Sequence, residues 1–255
     1  MYLASLTEHL STTSSHWRSD GTRLNSTKSK GNLMSIEIKI TASDGHVFDA
    51  WRSEPTGAIK GGVVILHAIT GRIPHLADVC DQWASEGYVA VAPSLFDRIG
   101  PNIINSYEPE GVEAGIAHYT SLVGDKILID TNACAETLRS YGPVVISGFC
   151  TGGTWAWVSA DKLKFDAMVN YYGSHVPARL EYKPKCPSVI HYGDIDHCVS
   201  MEEIETIRAA NPELRIHIHS GAKHAFFNPE QKSFHPEAAP KSWIQSMAFL
   251  DEVLG

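Results

Sequence analysis

The stretches "GGVVILHA" (61–68), "YVAVAPSLF" (88–96) and "VVISGF" (144–149) are apolar without the alternation of a strand that keeps one face in water. A strand of that kind is buried on both faces, which is the condition of a parallel sheet covered by helices. Between them lie segments of helical spacing. "PHLADVCDQWASEG" places Leu76, Val79, Cys80 and Trp83 on one stripe, and Gly87 suits its C-terminal cap. Residues 99–123 read as irregular and then helical, and 124–141 as a helix stopping at "YGP". Strands are expected in "FDAMVNYYG", "KCPSVIHYGD" and "ELRIHIHSG". Helices are expected from Gly152, over "SMEEIETIRAA" with Ser200 as N-cap, and over 236–254. Ahead of these, "SIEIKIT" and "HVFDAWRSE" alternate around "SDG" (43–45), a hairpin with one wet face. Strands alternating with helices predict an α/β fold, an open and mostly parallel sheet with helices on both faces.

The regular pattern begins at Met34, and residues 34–255 read as one domain, with no repeat and no shift in composition. Residues 1–33 are rich in Ser, Thr, Asn, Gly, Lys and Arg and lack hydrophobic periodicity. They are expected to be a disordered extension, or to follow a start codon placed upstream of the folded part. They hold no apolar core followed by a small-residue cleavage site, so a secretory signal is not expected.

A net charge of −8 gives no basic stripe for nucleic acid and no attraction to anionic membranes. The apolar runs are strand-sized, too short to span a bilayer. Five scattered cysteines, with no CxxC pair, argue against a disulfide framework and a structural zinc site. A reducing, cytoplasmic setting is expected.

In an open α/β sheet the ligand lies at the carboxyl ends of the strands. That directs attention to residues 67–71, 93–99, 148–153, 172–175, 193–199 and 220–228. In "SGFCTGG", Cys150 stands between a strand and a helix with glycines at 148, 152 and 153. This is the setting of a nucleophile elbow: the turn lifts the side chain, and the helix N-terminus favours a thiolate and an oxyanion. A cysteine after a buried strand can also be a small inert hydrophobe, so partners have to decide. "HYGDIDHCV" supplies Asp194 and Asp196 after a later strand, and "HSGAKHAFFNP" supplies His224 after the last one. The chain order is nucleophile, acid, histidine. His197, His217 and His219 compete for the base, and Asp194 competes with Asp196. The same third of the chain crowds Cys186, His191 and Cys198 among these groups, but HxH on a strand without a spaced third ligand is thin evidence for zinc. No metal or cofactor is expected.

Together, "VVILHAITGRIPHLADVCDQWASEGYVAVAPSLFDR" (63–98), "GFCTGG", "YYG" (171–173), "GDIDHCV" and "GAKHAF" resemble the dienelactone hydrolase family of α/β-hydrolases, in the family's order and over most of 34–255. The resemblance implies an ester or lactone hydrolase of the carboxymethylenebutenolidase type. It implies a triad of Cys150, Asp196 and His224, Asp196 matching because the family's acid precedes "H-x-V". It also implies an oxyanion hole from the N–H groups of Thr151 and Ile69, each donor contributing on the order of 3 kcal/mol in related hydrolases. Arg98, in "LFDR", matches a family arginine that binds the substrate carboxylate, and Tyr172 is a further pocket candidate. Two positions depart from the family. Its glutamate in "His-Glu-Ile-Phe-Gly" is Ala68 here, and a second arginine would fall near Asn228. A small-molecule ester or lactone is the expected partner, with the chain a monomer or weak homodimer. The rival expectations are a carboxylesterase or thioesterase of the same fold on another substrate, and a non-catalytic descendant that binds a small molecule.

Overall fold

A computed structural model describes residues 34–255, together with the backbone of His16–Trp17 (β1) and Arg23–Leu24 (β2), which pair antiparallel. The rest of the expected N-terminal extension lies outside the described residues.

The main sheet has eight strands: β3 (Ile36–Thr41), β4 (Val47–Ser53), β5 (Gly61–Leu66), β6 (Tyr88–Pro93), β7 (Val144–Phe149), β8 (Ala167–Tyr171), β9 (Ser188–Gly193) and β10 (Arg215–His219). Their order is β10-β9-β8-β7-β5-β6-β4-β3. The hairpin β3–β4 is antiparallel, turning at Gly45 with φ of 83°, and β4 is antiparallel to β6. All other pairs are parallel. Strands β5 to β9 are buried along their whole length, as their unbroken apolar runs require. The helices are α1 (Pro74–Ser85), α2 (Pro109–Ser121), α3 (Gly124–Glu136), α4 (Thr151–Lys162), α5 (Met201–Ala210) and α6 (Ala238–Leu254). Ser200 and Glu203 close a capping box at the start of α5. The helix expected over 124–141 is shorter, ending at Glu136 and followed by a 3-10 turn, Arg139–Tyr141.

This order fixes where a ligand can bind. The step from β5 to β6 runs one way across the sheet, and the step from β6 to β7 crosses back over β5. With right-handed crossovers, α1 and α3 therefore cover opposite faces. Helix α4 packs beside α3, and α6 returns to α1, where Trp83 and Trp243 meet edge to face at 5.1 Å. The chain thus parts between β5 and β7, opening a crevice between the loop after β5 and the turn after β7. Ile69 lies in the first and Cys150 at the tip of the second.

Candidate active site

Cys150 has φ of 54° and ψ of −119°, a conformation costly for any residue with a Cβ. Glycines make the turn possible. A Cβ at Gly148 would stand 2.2 Å from the Gly152 carbonyl oxygen, and one at Gly152 would stand 2.2 Å from that of Leu66. The elbow is therefore pressed onto the end of β5, and only bare backbone fits there. Its conformation is held by the Cys150 N–H donating to the Tyr171 carbonyl (3.1 Å), and by the Cys150 carbonyl accepting from Thr154 N–H (3.2 Å) and Ser174 N–H (3.3 Å). Asn170 ties the next strand to the same helix, its Nδ2 donating to the Gly153 carbonyl (2.7 Å).

Asp196 and His224 come from the loops after β9 and β10. His224 Nδ1 lies 2.9 Å from Asp196 Oδ2 and 3.1 Å from Oδ1. Asp196 Oδ1 also accepts the N–H groups of Cys198 (2.7 Å) and Val199 (3.3 Å), which fixes the carboxylate and leaves it nothing to donate. Nδ1 of His224 must then carry the proton. Nε2 is buried without a hydrogen-bond partner. Burial alone would pull the His224 imidazole down. The Cys150 thiolate and the Asp196 carboxylate overcome it and hold the imidazole well above the ordinary histidine range. Cys150 responds in the opposite sense. Burial opposes its charge, but His224, the Ser174 hydroxyl and the Thr151 N–H lower the thiol below its usual value. The two fully buried cysteines, Cys80 and Cys134, are pushed well above it by burial.

Cys150, Thr151, Ile69, Tyr172 and His224 all line one cavity of about 920 Å³. Thr151 opens α4, so its N–H has no partner within the helix. Ile69 is positioned through its carbonyl, which accepts from Asn105 Nδ2 at 2.7 Å. Behind it His67 is neutral, pushed down to about 4 by burial. Its Nε2 accepts from Leu95 N–H (3.0 Å), so Nδ1 donates to the Ala68 carbonyl (2.7 Å). The Tyr172 ring meets His224 at 5.0 Å. Tyr172 also has positive φ, 43°.

Arg98 is not brought to this cavity. Its Nε donates to Asp130 Oδ2 (2.8 Å), and its Nη1 and Nη2 grip Asp44 at 2.8 and 3.1 Å. The fork is filled by two carboxylates, one of them on α3 and wholly buried. Of the competing histidines, His217 and His219 are also elsewhere, while His197 lines the same cavity. His191 and His219 hydrogen-bond to each other (3.1 Å) inside the core, His217 stacks on His191, and His197 meets only the edge of His224. Asp194 caps the turn at Gly221 N–H (2.7 Å). Among the described residues, only Asp196, Cys198 and His224 bring metal-ligating atoms within 4.8 Å of one another, and two of the three already bond each other. Two residues beside Cys150, Ser174 and His175, were not singled out by any motif. They lie directly after a strand, in the zone where ligands bind, and that position was the available signal.

The sequence matches the model of the Dienelactone hydrolase family over residues 48–254. It is 31% identical over 231 residues to a carboxymethylenebutenolidase of a Pseudomonas species, covering 86% of this chain and 95% of that protein. A carboxymethylenebutenolidase of Pseudomonas putida is 28% identical over 228 residues, covering 86% and 97%. In fold, the chain is similar to an esterase of Pyrococcus furiosus (TM-score 0.63, 18% identity, 88% and 94% covered). It is also similar to a dienelactone hydrolase-like promiscuous phosphotriesterase from metagenomic libraries (TM-score 0.66, 17% identity, 87% and 100% covered). No helix among the described residues is long and apolar enough to cross a membrane.

Proposed function

The chain belongs to the dienelactone hydrolase family and is an ester or lactone hydrolase with an α/β-hydrolase fold, and we propose that it works through Cys150, His224 and Asp196. The observation that carries this reading is the buried His224–Asp196 bond of 2.9 Å, on the cavity that also holds a cysteine lifted on a strained turn.

The opposed shifts of Cys150 and His224 favour a thiolate beside an imidazolium. The thiolate attacks the carbonyl carbon, and the carbonyl electron pair moves to oxygen, where the Thr151 and Ile69 N–H groups stabilise it. His224 Nε2 gives its proton to the leaving alkoxide as the tetrahedral species collapses to a thioester. Water then attacks that thioester, giving its proton to Nε2, and release of the acid restores the thiolate. Asp196 holds Nδ1 throughout. No step requires a cofactor.

Ile69, Val112, Ile116, Tyr119 and Pro177 give the cavity apolar walls, while Lys223 and Lys232 stand among Glu108, Glu203 and Glu230. Where the family's second arginine would fall, Asn228 Nδ2 donates to the Tyr107 hydroxyl, which donates to Glu230 (both 2.8 Å). This lining supports esters or lactones with a sizeable apolar part.

The test is steady-state hydrolysis of short p-nitrophenyl esters, matching thioesters and a dienelactone by wild type, Cys150→Ala and Cys150→Ser. Wild type should turn over at least one oxygen ester or lactone and Cys150→Ala none. Wild-type rates in Cys150→Ala would overturn the reading.

A further inference from the structure

The loop after β8 places a second polar pair against the nucleophile. Ser174 Oγ lies 3.8 Å from Cys150 Sγ, within the reach of a hydrogen bond to sulfur, and 2.9 Å from His175 Nδ1. The pair is docked by backbone. Ser174 N–H donates to the Cys150 carbonyl (3.3 Å), and His175 N–H donates to Thr154 Oγ1 (3.0 Å) on the elbow's own helix. The next residue back, Gly173, is pinned between the Asn170 side chain and the Tyr192 hydroxyl. The His175 ring stacks on Tyr119 of α2 at 5.8 Å. Sulfur, hydroxyl and imidazole therefore form a chain whose two ends are both anchored.

The direction of that chain follows from donor and acceptor counts. A thiolate only accepts, so the Ser174 hydrogen must point to it. The Ser174 oxygen is then free to accept, and His175 Nδ1 must carry the hydrogen that fills it. Hydrogen bonds in line polarise one another, and a bond to a charged acceptor is stronger than a neutral one.

We propose that Ser174 is a further catalytic residue which donates a hydrogen bond to the resting Cys150 thiolate, and that His175, in its Nδ1–H form, is the positioning residue that aims it. The inference rests on Cys150 as the nucleophile. The Ser174 hydroxyl supplies a donor to the thiolate in addition to the charge of His224 and the Thr151 N–H, in a cavity whose wall at Ala68 offers only a methyl group. The charged and titratable groups facing the pair are few. His224 faces both Cys150 and His175, Arg179 faces His175, Tyr119 stacks on it, and Tyr172 lies against the sulfur. Burial, Arg179 and His224 all keep His175 below the ordinary histidine value, so it is a neutral donor near pH 7.

The experiment reads thiol acidity directly and needs no substrate. Iodoacetamide alkylation of Cys150, followed by mass spectrometry of its peptide from pH 4 to 9, gives the thiolate fraction apart from the other cysteines. Loss of one charged hydrogen bond should move the Ser174→Ala profile up by about one pH unit, a roughly tenfold slower reaction on its rising limb. His175→Ala should shift it in the same direction by less. His175→Asn, whose amide nitrogen can replace Nδ1–H, should stay within about twofold of wild type. In turnover, Ser174→Ala should lower kcat with little change in KM. Far-UV circular dichroism and thermal melting of each variant separate these effects from misfolding. A Ser174→Ala profile that overlays wild type would overturn the proposal, as would equal shifts for His175→Ala and His175→Asn. His224→Ala is the control for the reading beneath it. If that variant leaves the Cys150 profile unmoved, the triad assignment fails, whatever Ser174 does.

Discussion

Strands β9 and β10 each contribute to two buried pairs, one within the sheet and one just beyond its edge, and the two pairs behave in opposite ways. Within the sheet, His191 Nδ1 faces His219 Nε2, and His191 Nε2 faces the Ser246 hydroxyl (2.9 Å). Ser246 donates its own hydrogen to the Ser242 carbonyl, so His191 Nε2 donates and its Nδ1 accepts from His219. Burial, reinforced by the neighbouring histidines, lowers both, His219 to about 4. A few residues further on, Asp196 and His224 are buried to a similar degree, yet His224 is raised. Burial is common to both histidines, so it does not decide the charge. The partner does: a fixed carboxylate and a thiolate in one case, neutral imidazoles and hydroxyls in the other. The same strands thus lead to an uncharged packing pair and a chargeable Asp196–His224 pair only a few residues apart in the chain.

Removing the carboxylate charge should break that contrast most severely. In Asp196→Asn the amide oxygen can still accept from Cys198 and Val199, but His224 loses the anion beside Nδ1. Its titration, followed by NMR, should drop toward that of the core histidines. Turnover should fall about 10²–10⁴-fold, the range for disabling a general acid–base unit. Unchanged activity would show that Asp196 is only a loop cap.

Arg98 and Asp130 supply a third buried pair, and they sharpen the rule from the other side. Burial raises the Asp130 carboxyl even though Arg98 pulls it down. Arg98→Met should therefore destabilise the fold by roughly 3–5 kcal/mol at pH 7 in urea denaturation, because it strands a buried carboxylate. The loss should shrink at pH 5, where Asp130 can take up a proton. Residual folded enzyme should keep its KM for neutral esters. A large KM increase confined to carboxylate-bearing substrates, with stability intact, would return Arg98 to the substrate.

These contrasts mark how far the sequence could be read. The elbow was legible because glycine spacing, an apolar strand and a following helix are all local. Asp196 and His224 were legible as residues directly after strands, in an order that the fold repeats. The fate of Arg98 was not, because its partners lie 54 and 32 residues away in the chain and nothing near "LFDR" points to them. The separation of His219 from His224 was equally hidden, since one ends the last strand and the other stands five residues beyond it. Only the folded geometry shows that the His219 ring pairs with His191 in the core while His224 lines the crevice. Ser174 and His175 carry no motif, and their role depends on a loop geometry set by Asn170, Gly173 and Thr154.

The core pair can be tested by acid. An unfolded histidine titrates near 6.5, and His219 in the fold titrates near 4. Below the unfolded value the unfolded chain binds more protons, so stability contributed by His219 is complete above about pH 6.5 and lost as pH falls toward 4. One such group contributes up to about 3 kcal/mol to that loss. His67, also near 4, contributes in the same direction. In His219→Gln the amide can still donate to His191 but does not titrate. The fall in unfolding free energy between pH 7 and 4.5 should therefore be smaller than in wild type. An identical slope would mean that His219 is not neutral in the fold.

The smallest effect should come from the other lip of the crevice, where position and not charge is at stake. Gly115 of α2 packs against Ile69, and a Cβ there would stand 2.5 Å from the Ile69 carbonyl oxygen. That carbonyl is also held by Asn105, so the loop has little room to yield without carrying its N–H groups along. Alanine is the better helix former by up to about 1 kcal/mol, but the backbone shift that this clash demands opposes the gain, so the activity of Gly115→Ala is compared at equal folded fraction, checked by thermal melting. If the Ile69 N–H meets the oxyanion, the displacement of roughly half an ångström or more needed to clear that contact weakens a bond that matters only in the transition state. Turnover should then fall about tenfold, less than loss of a whole donor, with KM nearly constant. The alkylation profile of Cys150 should not move, because the thiolate draws on Thr151, Ser174 and His224. A fall in turnover matched by a shift in that profile would place the Ile69 loop in the activation of sulfur rather than in the stabilisation of oxygen.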